Sequence, residues 1–99
     1  MKPVQFHPAA REEVNEAAAH YEAKRDGLGR EFRFELAESL GRMARNPQMY
    51  AMELGEFRAC PLRRFPSTIF YIDLDDRLWV GAVAHQHRRP GYWARRRPQ

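Results

Sequence analysis

The sequence predicts an α+β fold of order β-α-α-β-β-β, a helical hairpin packed on a small antiparallel sheet. Three observations carry this. Residues 8–46 place apolar side chains at helical spacing in two blocks, separated by Asp26-Gly27-Leu28-Gly29. Residues 57–87 run instead in short segments rich in β-branched and aromatic residues. The link between the helical blocks is so short that the helices must be antiparallel neighbours, and such a hairpin needs one face of a sheet to cover.

Taken in order, Val4-Gln5-Phe6 reads as a first strand ended by His7-Pro8, with Pro suited to the first turn of a helix. Ala10, Val14, Ala17, Ala18 and Tyr21 then form one face of a helix that ends near Arg25, opposite Arg11, Glu12, Glu13, Glu16 and Glu22. The second helix carries Phe32, Leu36, Leu40 and Met43 as its apolar stripe and stops at Asn46-Pro47. Strands follow at 57–60, 65–72 and 78–87, and Leu74-Asp75-Asp76-Arg77 turns the chain between the last two. Residues 1–93 make a single domain; the basic segment 94–99 reads as a frayed tail.

At 99 residues there is one modest core, which a partner would reinforce. The single Cys60 excludes an internal disulfide and reads as a small buried residue. No apolar run has the length of a signal peptide or membrane span, so a cytoplasmic protein without membrane contact is expected. Charge is unevenly placed. Residues 1–56 hold eight Lys/Arg against ten Asp/Glu, whereas residues 57–99 hold nine Arg against three Asp. Arginine pairs with phosphate or carboxylate through two parallel hydrogen bonds, so nucleic acid or an acidic protein segment is the implied partner, set against a merely solvated basic face.

The run Ala82-Val83-Ala84-His85-Gln86-His87-Arg88-Arg89-Pro90-Gly91-Tyr92-Trp93 turns a buried strand into a cationic, aromatic surface. Alternate residues on a strand share a face, so His85 and His87 are expected to point with Trp79 and Val83. In an antiparallel pair turning near Asp75-Asp76, Arg63 and Arg64 fall beside His87 and Arg88, and Arg58 on the preceding strand is a candidate to join them.

Cleavage of RNA through a ribose 2′-hydroxyl needs a base, an acid and positive groups around the phosphate, for which His85, His87, Tyr92 and these arginines are chemically suitable. Each residue also has a plainer reading. His85 suits a hydrogen-bonded, partly packed histidine, Trp79, Phe70 and Tyr71 suit sheet packing, and Tyr92 and Trp93 are expected to fold back onto the sheet. The two imidazoles lack a third ligand at a convincing spacing, so neither zinc nor any other cofactor is expected. There is no phosphate-binding Gly-rich loop and no nucleophile with an evident base.

Phe6 with the Glu-rich first helix, Gly27-Leu28-Gly29 before Phe32, Asn46-Pro47, Arg63-Arg64-Phe65-Pro66 through Phe70-Tyr71, and Val83-Ala84-His85 to Trp93 together resemble the RelE/ParE superfamily of bacterial toxins. The resemblance covers nearly the whole chain, with its parts in order. It implies the toxin of a type II toxin-antitoxin system, neutralised by a cognate antitoxin in a toxin-antitoxin hetero-oligomer. RelE-like members cut mRNA on the ribosome; ParE-like members inhibit DNA gyrase. By position, Arg58, Arg64, His85, His87 and Tyr92 carry over as catalytic residues if the chain is RelE-like. Arg63, Arg64, Arg88, Arg89 and Trp93 carry over as residues that bind the target or antitoxin. No Lys follows Lys24, so the lysines of some ribosome-dependent members have no counterpart in the sheet. The Arg-Arg-Phe-Pro and Ala-Val-Ala-His segments resemble the ParE side more, which favours gyrase over the ribosome with its mRNA. A basic RNA-binding module without toxicity is the third reading.

Overall fold

A computed structural model describes residues 2–98. Strand β1 (Val4–Phe6) leads into helices α1 (Pro8–Lys24) and α2 (Leu28–Arg45), followed by strands β2 (Met52–Leu54), β3 (Phe57–Pro61), β4 (Ser67–Asp73) and β5 (Leu78–His85). The five strands form one sheet in the order β1-β5-β4-β3-β2. Both expected helices and the 74–77 turn are present, and two features go beyond the sequence reading. β2 is an additional short edge strand, and β1 pairs with β5 in parallel, which makes the sheet mixed. β1 lies at one edge of the sheet, and it can pair with β5 in parallel because the hairpin and the strands that follow supply the long connection a parallel pair requires.

The helical hairpin covers one face of the sheet. Ala10, Val14 and Ala18 of α1 and Phe32, Leu36 and Met43 of α2 pack on Ile69, Tyr71, Leu78, Val80 and Val83. The opposite face carries Phe57, Ile72, Trp79, Ala82 and Ala84, closed by Trp93. Leu78 and Val80 therefore lie on the helix side with Val83, while Trp79 lies on the other side, contrary to the strict alternation expected for this strand. The cause is a bulge: Phe70 pairs with Ala82 and Tyr71 with Val80, leaving Gly81 unpaired and shifting the alternation by one residue. Gly81 suits this position because a Cβ there would lie 2.6 Å from the Phe57 ring and 2.9 Å from Trp79. His85 consequently points with Val83 and not with Trp79.

The turn between the helices is built from α1. The Glu22 carboxylate accepts the backbone N–H groups of Gly27 (2.9 Å) and Gly29 (3.0 Å), covering donors that the start of α2 leaves open. These two bonds lower the Glu22 pKa below the usual carboxylate range. Gly27 has φ 87°, which favours glycine. Gly29 lets the helices approach, since a Cβ there would sit 2.6 Å from the Ala18 carbonyl oxygen. Gly29→Ala should therefore cost about 1–3 kcal/mol by overpacking. Gly41→Ala, whose Cβ would meet only the flexible end of Arg45 at 3.5 Å, should stabilise by roughly 0.5–1 kcal/mol through helix propensity. Urea denaturation of the two variants checks both signs; equal midpoints would show that the hairpin yields at Gly29.

Candidate functional site

β1 ends at Phe6, opposite Val80, and the chain turns away into α1, so among the described residues the outer edge of β5 has no strand partner from Gly81 onward. Backbone groups left there need other partners. Glu13, near the start of α1, supplies one: its carboxylate accepts the Val83 N–H at 3.0 Å and the Tyr92 hydroxyl at 2.6 Å. Arg96 supplies the other, donating to the Gly81 carbonyl at 2.8 Å while pairing with Glu13 at 3.2 Å. The Glu13 side chain is only 11% exposed. One carboxylate thus ties α1, the free edge of β5 and the C-terminal segment together, with Arg96, from the basic tail, as its counter-ion.

Against this anchor lies a cleft of about 570 Å³ between α1 and the end of β5, lined among others by Glu16, His20, His85, His87, Arg88 and Tyr92. His85 accepts the His87 backbone N–H on Nδ1 at 3.0 Å, and the two rings meet edge to face at 5.0 Å. Burial, reinforced by the neighbouring His87 and His20, lowers the His85 pKa, so the neutral imidazole is favoured. Tyr92 is affected in the opposite direction. Burial and its bond to Glu13 push its hydroxyl well above the ordinary tyrosine range, so it keeps its proton. Arg88 stacks over the Tyr92 ring at 4.0 Å. Among the described residues, no three His, Cys, Asp or Glu side chains are grouped to hold a metal ion.

Arg63 and Arg64 are not on a strand beside His87 and Arg88. β4 begins only at Ser67, opposite His85, and residues 62–66 form the turn that joins β3 to β4. Glu35 of α2, buried at 5% exposure, holds this turn. Its carboxylate accepts the backbone N–H groups of both arginines and the Arg64 Nε, and Arg64 also pairs with Glu31 at 3.5 Å. Burying a carboxylate requires such partners, and Phe65 packs into the hairpin against Tyr21 and Phe32. Arg58 is similarly engaged, donating to the Tyr50 carbonyl at 2.8 Å. It faces Tyr71, four residues along β4 from the partner of His85, or roughly 13 Å of strand. The expected convergence therefore reduces to His85, His87, Arg88 and Tyr92.

Trp93 folds back as expected. It is 3% exposed, stacks on Phe70 at 4.0 Å and meets Phe57 edge to face at 4.8 Å. The sequence matches the family described as ParE toxin of type II toxin-antitoxin system, parDE, over residues 4–90. This chain belongs to the ParE toxin family. A solved structure described as the chromosomal ParDE TA system from P. aeruginosa shares the fold, with a TM-score of 0.72 and 13% identity over 86% of this chain and 96% of that one. Comparison with curated proteins gives no match.

Membership in the ParE family bears out the resemblance read from the ordered motifs, and the fold match bears out the helical hairpin on a sheet. Sequence reasoning missed Glu13 as the centre of the site, treating it as one of several solvent-facing glutamates of α1. Its helical position gave one signal, because Glu13 adjoins the buried Val14 and lies one turn after Ala10 on the edge of the apolar face.

Proposed function

We propose that this ParE-family chain is silenced by a cognate antitoxin and acts in the cytoplasm by inhibiting DNA gyrase, through protein contacts and without cutting RNA. The observation that supports this is the separation of Arg58 and Arg64 from the cleft that His85, His87 and Tyr92 share. Arg58 and Arg64 are engaged by a backbone carbonyl and by carboxylates, away from His85. The Tyr92 proton is held by Glu13. His85 uses Nδ1 to accept a backbone bond. A nuclease site needs its acid, base and cations converging on one phosphate, whereas an inhibitor needs a rigid surface. The exposed Arg88 and Arg89 on the Trp93-anchored segment supply such a surface, and Arg63 offers an exposed cation to an acidic antitoxin segment.

Purified protein should block supercoiling or trap cleaved DNA in a gyrase reaction that contains no ribosomes. The double variant His85→Gln, His87→Gln should inhibit about as well as the parent protein. Cleavage of mRNA on translating ribosomes with gyrase unaffected, lost in that double variant, would instead establish the RelE-like reading.

A further inference from the structure

A second cavity, of about 420 Å³, opens on the face of the sheet away from the helices, under the C-terminal segment. That volume falls in the range of about 300–1,000 Å³ typical of small-molecule sites. Its walls are apolar and aromatic: Leu54 of β2, Phe70 of β4, and Tyr92 and Trp93 beyond β5. Arg88 and Arg89 stand at its rim, both exposed. Among the described residues, neither arginine has a carboxylate within ion-pair distance. Arg88 is held in place by its stacking on Tyr92, with its guanidinium edge left to meet an anion.

A planar apolar body joined to an anionic group matches this arrangement. Trp93 is buried against Phe70 and the Tyr92 ring is covered by Arg88, so the half-buried Phe70 and the exposed Leu54 supply the apolar contact, which tolerates any base, while unpaired arginines meet the backbone phosphate. We propose that this cavity binds one unpaired nucleobase of a single-stranded nucleic acid, with the adjoining phosphates on Arg88 and Arg89. The proposal goes beyond the gyrase reading, which uses the same Arg88 and Arg89 as a protein-facing surface, and its test needs only the isolated chain and a bare strand. Among the described residues, Glu53 is the one carboxylate lining the cavity, and it opposes the phosphate charge.

The test is titration of the purified protein with short oligothymidylate, followed by anisotropy of a labelled strand and by intrinsic tryptophan fluorescence, to which the cavity contributes Trp93. The same strand annealed to its complement, and inorganic phosphate at matched ionic strength, are the controls. Single strands should bind roughly tenfold or more tighter than duplex and alter the tryptophan emission, because a paired base cannot enter the cavity. Arg88→Gln with Arg89→Gln should reduce the slope of log affinity against log salt by about 1.4, that is ~0.7 per single-strand phosphate contact. Leu54→Glu alters a wall residue that is 46% exposed on an edge strand. It should abolish the emission change with the circular dichroism spectrum intact, and Glu53→Gln should tighten binding. Oligouridylate in place of oligothymidylate shows whether RNA or DNA is preferred, and tighter binding of either single strand supports the site. Duplex binding as tight as the single strand, or binding with unchanged tryptophan emission in the parent protein, would overturn it and leave only a charged surface.

Discussion

Induced alone in a bacterial host, this chain should stop colony formation, and co-expression of its cognate antitoxin should restore it. The expectation follows from membership in the ParE toxin family over residues 4–90, and colony counts beside an immunoblot of soluble protein measure it. Normal growth with abundant, folded, soluble chain would sink the toxin reading. Neutralisation also has a thermodynamic signature. A partner that binds only the folded toxin stabilises it by about 2.7 kcal/mol at a hundredfold excess over Kd. In a domain of this size each kcal/mol moves the melting temperature by roughly 4–8 °C. Rescue of growth without any rise in the toxin's melting temperature would mean that the antitoxin acts elsewhere than on the folded chain.

The helices, the turn at 74–77 and the two long strands were legible because each rests on local chemistry: apolar spacing, a Gly-rich break, an Asn-Pro stop. Two errors arose where the local rule is broken by a neighbour distant in sequence. Strict alternation put His85 with Trp79, but the bulge at Gly81 reverses the faces, and the bulged position takes glycine because Phe57 and Trp79 fill the space where a side chain would stand. Extending the ladder to Arg63 and Arg64 gave a reasonable register, since Ser67 does pair with His85. What ends the ladder is the turn from β3 into β4, whose backbone at both arginines the Glu35 carboxylate holds against α2. A carboxylate on an amphipathic helix reads as solvent-facing until its partners are known. Glu35 and Glu13 show the same blind spot. Glu35 lies on the buried side of its helix and Glu13 on the edge of the apolar face, and both satisfy backbone N–H groups of the sheet region, a role that composition does not reveal and helical spacing signals only by their place beside buried residues.

Glu13→Ala should destabilise the protein by about 3 kcal/mol, near the lower end of the ~3–5 kcal/mol for removing one partner of a buried ion pair. The lower end applies because Arg96 keeps 19% of its side chain exposed and can recover part of its hydration. Three groups lose their acceptor at once: the Val83 N–H on a residue 4% exposed, the Tyr92 hydroxyl and the Arg96 guanidinium. An unsatisfied buried donor costs about 1–3 kcal/mol by itself. Arg96→Ala should cost less, because Glu13 retains Val83 and Tyr92, and the double variant should be less destabilised than the sum of the two. Glu13→Gln separates shape from charge. Its amide oxygen can still accept one donor, but its NH₂ faces the others, so its stability should fall between those of the parent and Glu13→Ala. Urea denaturation gives the free energies, and hydrogen exchange at the Val83 amide gives the local consequence, with protection lost in Glu13→Ala while amides in the middle of β4 open only with global unfolding. If the Glu13→Ala midpoint matched the parent and Val83 stayed protected, Glu13 would not be what holds the C-terminal segment. Trp93, stacked on Phe70, would then be its anchor.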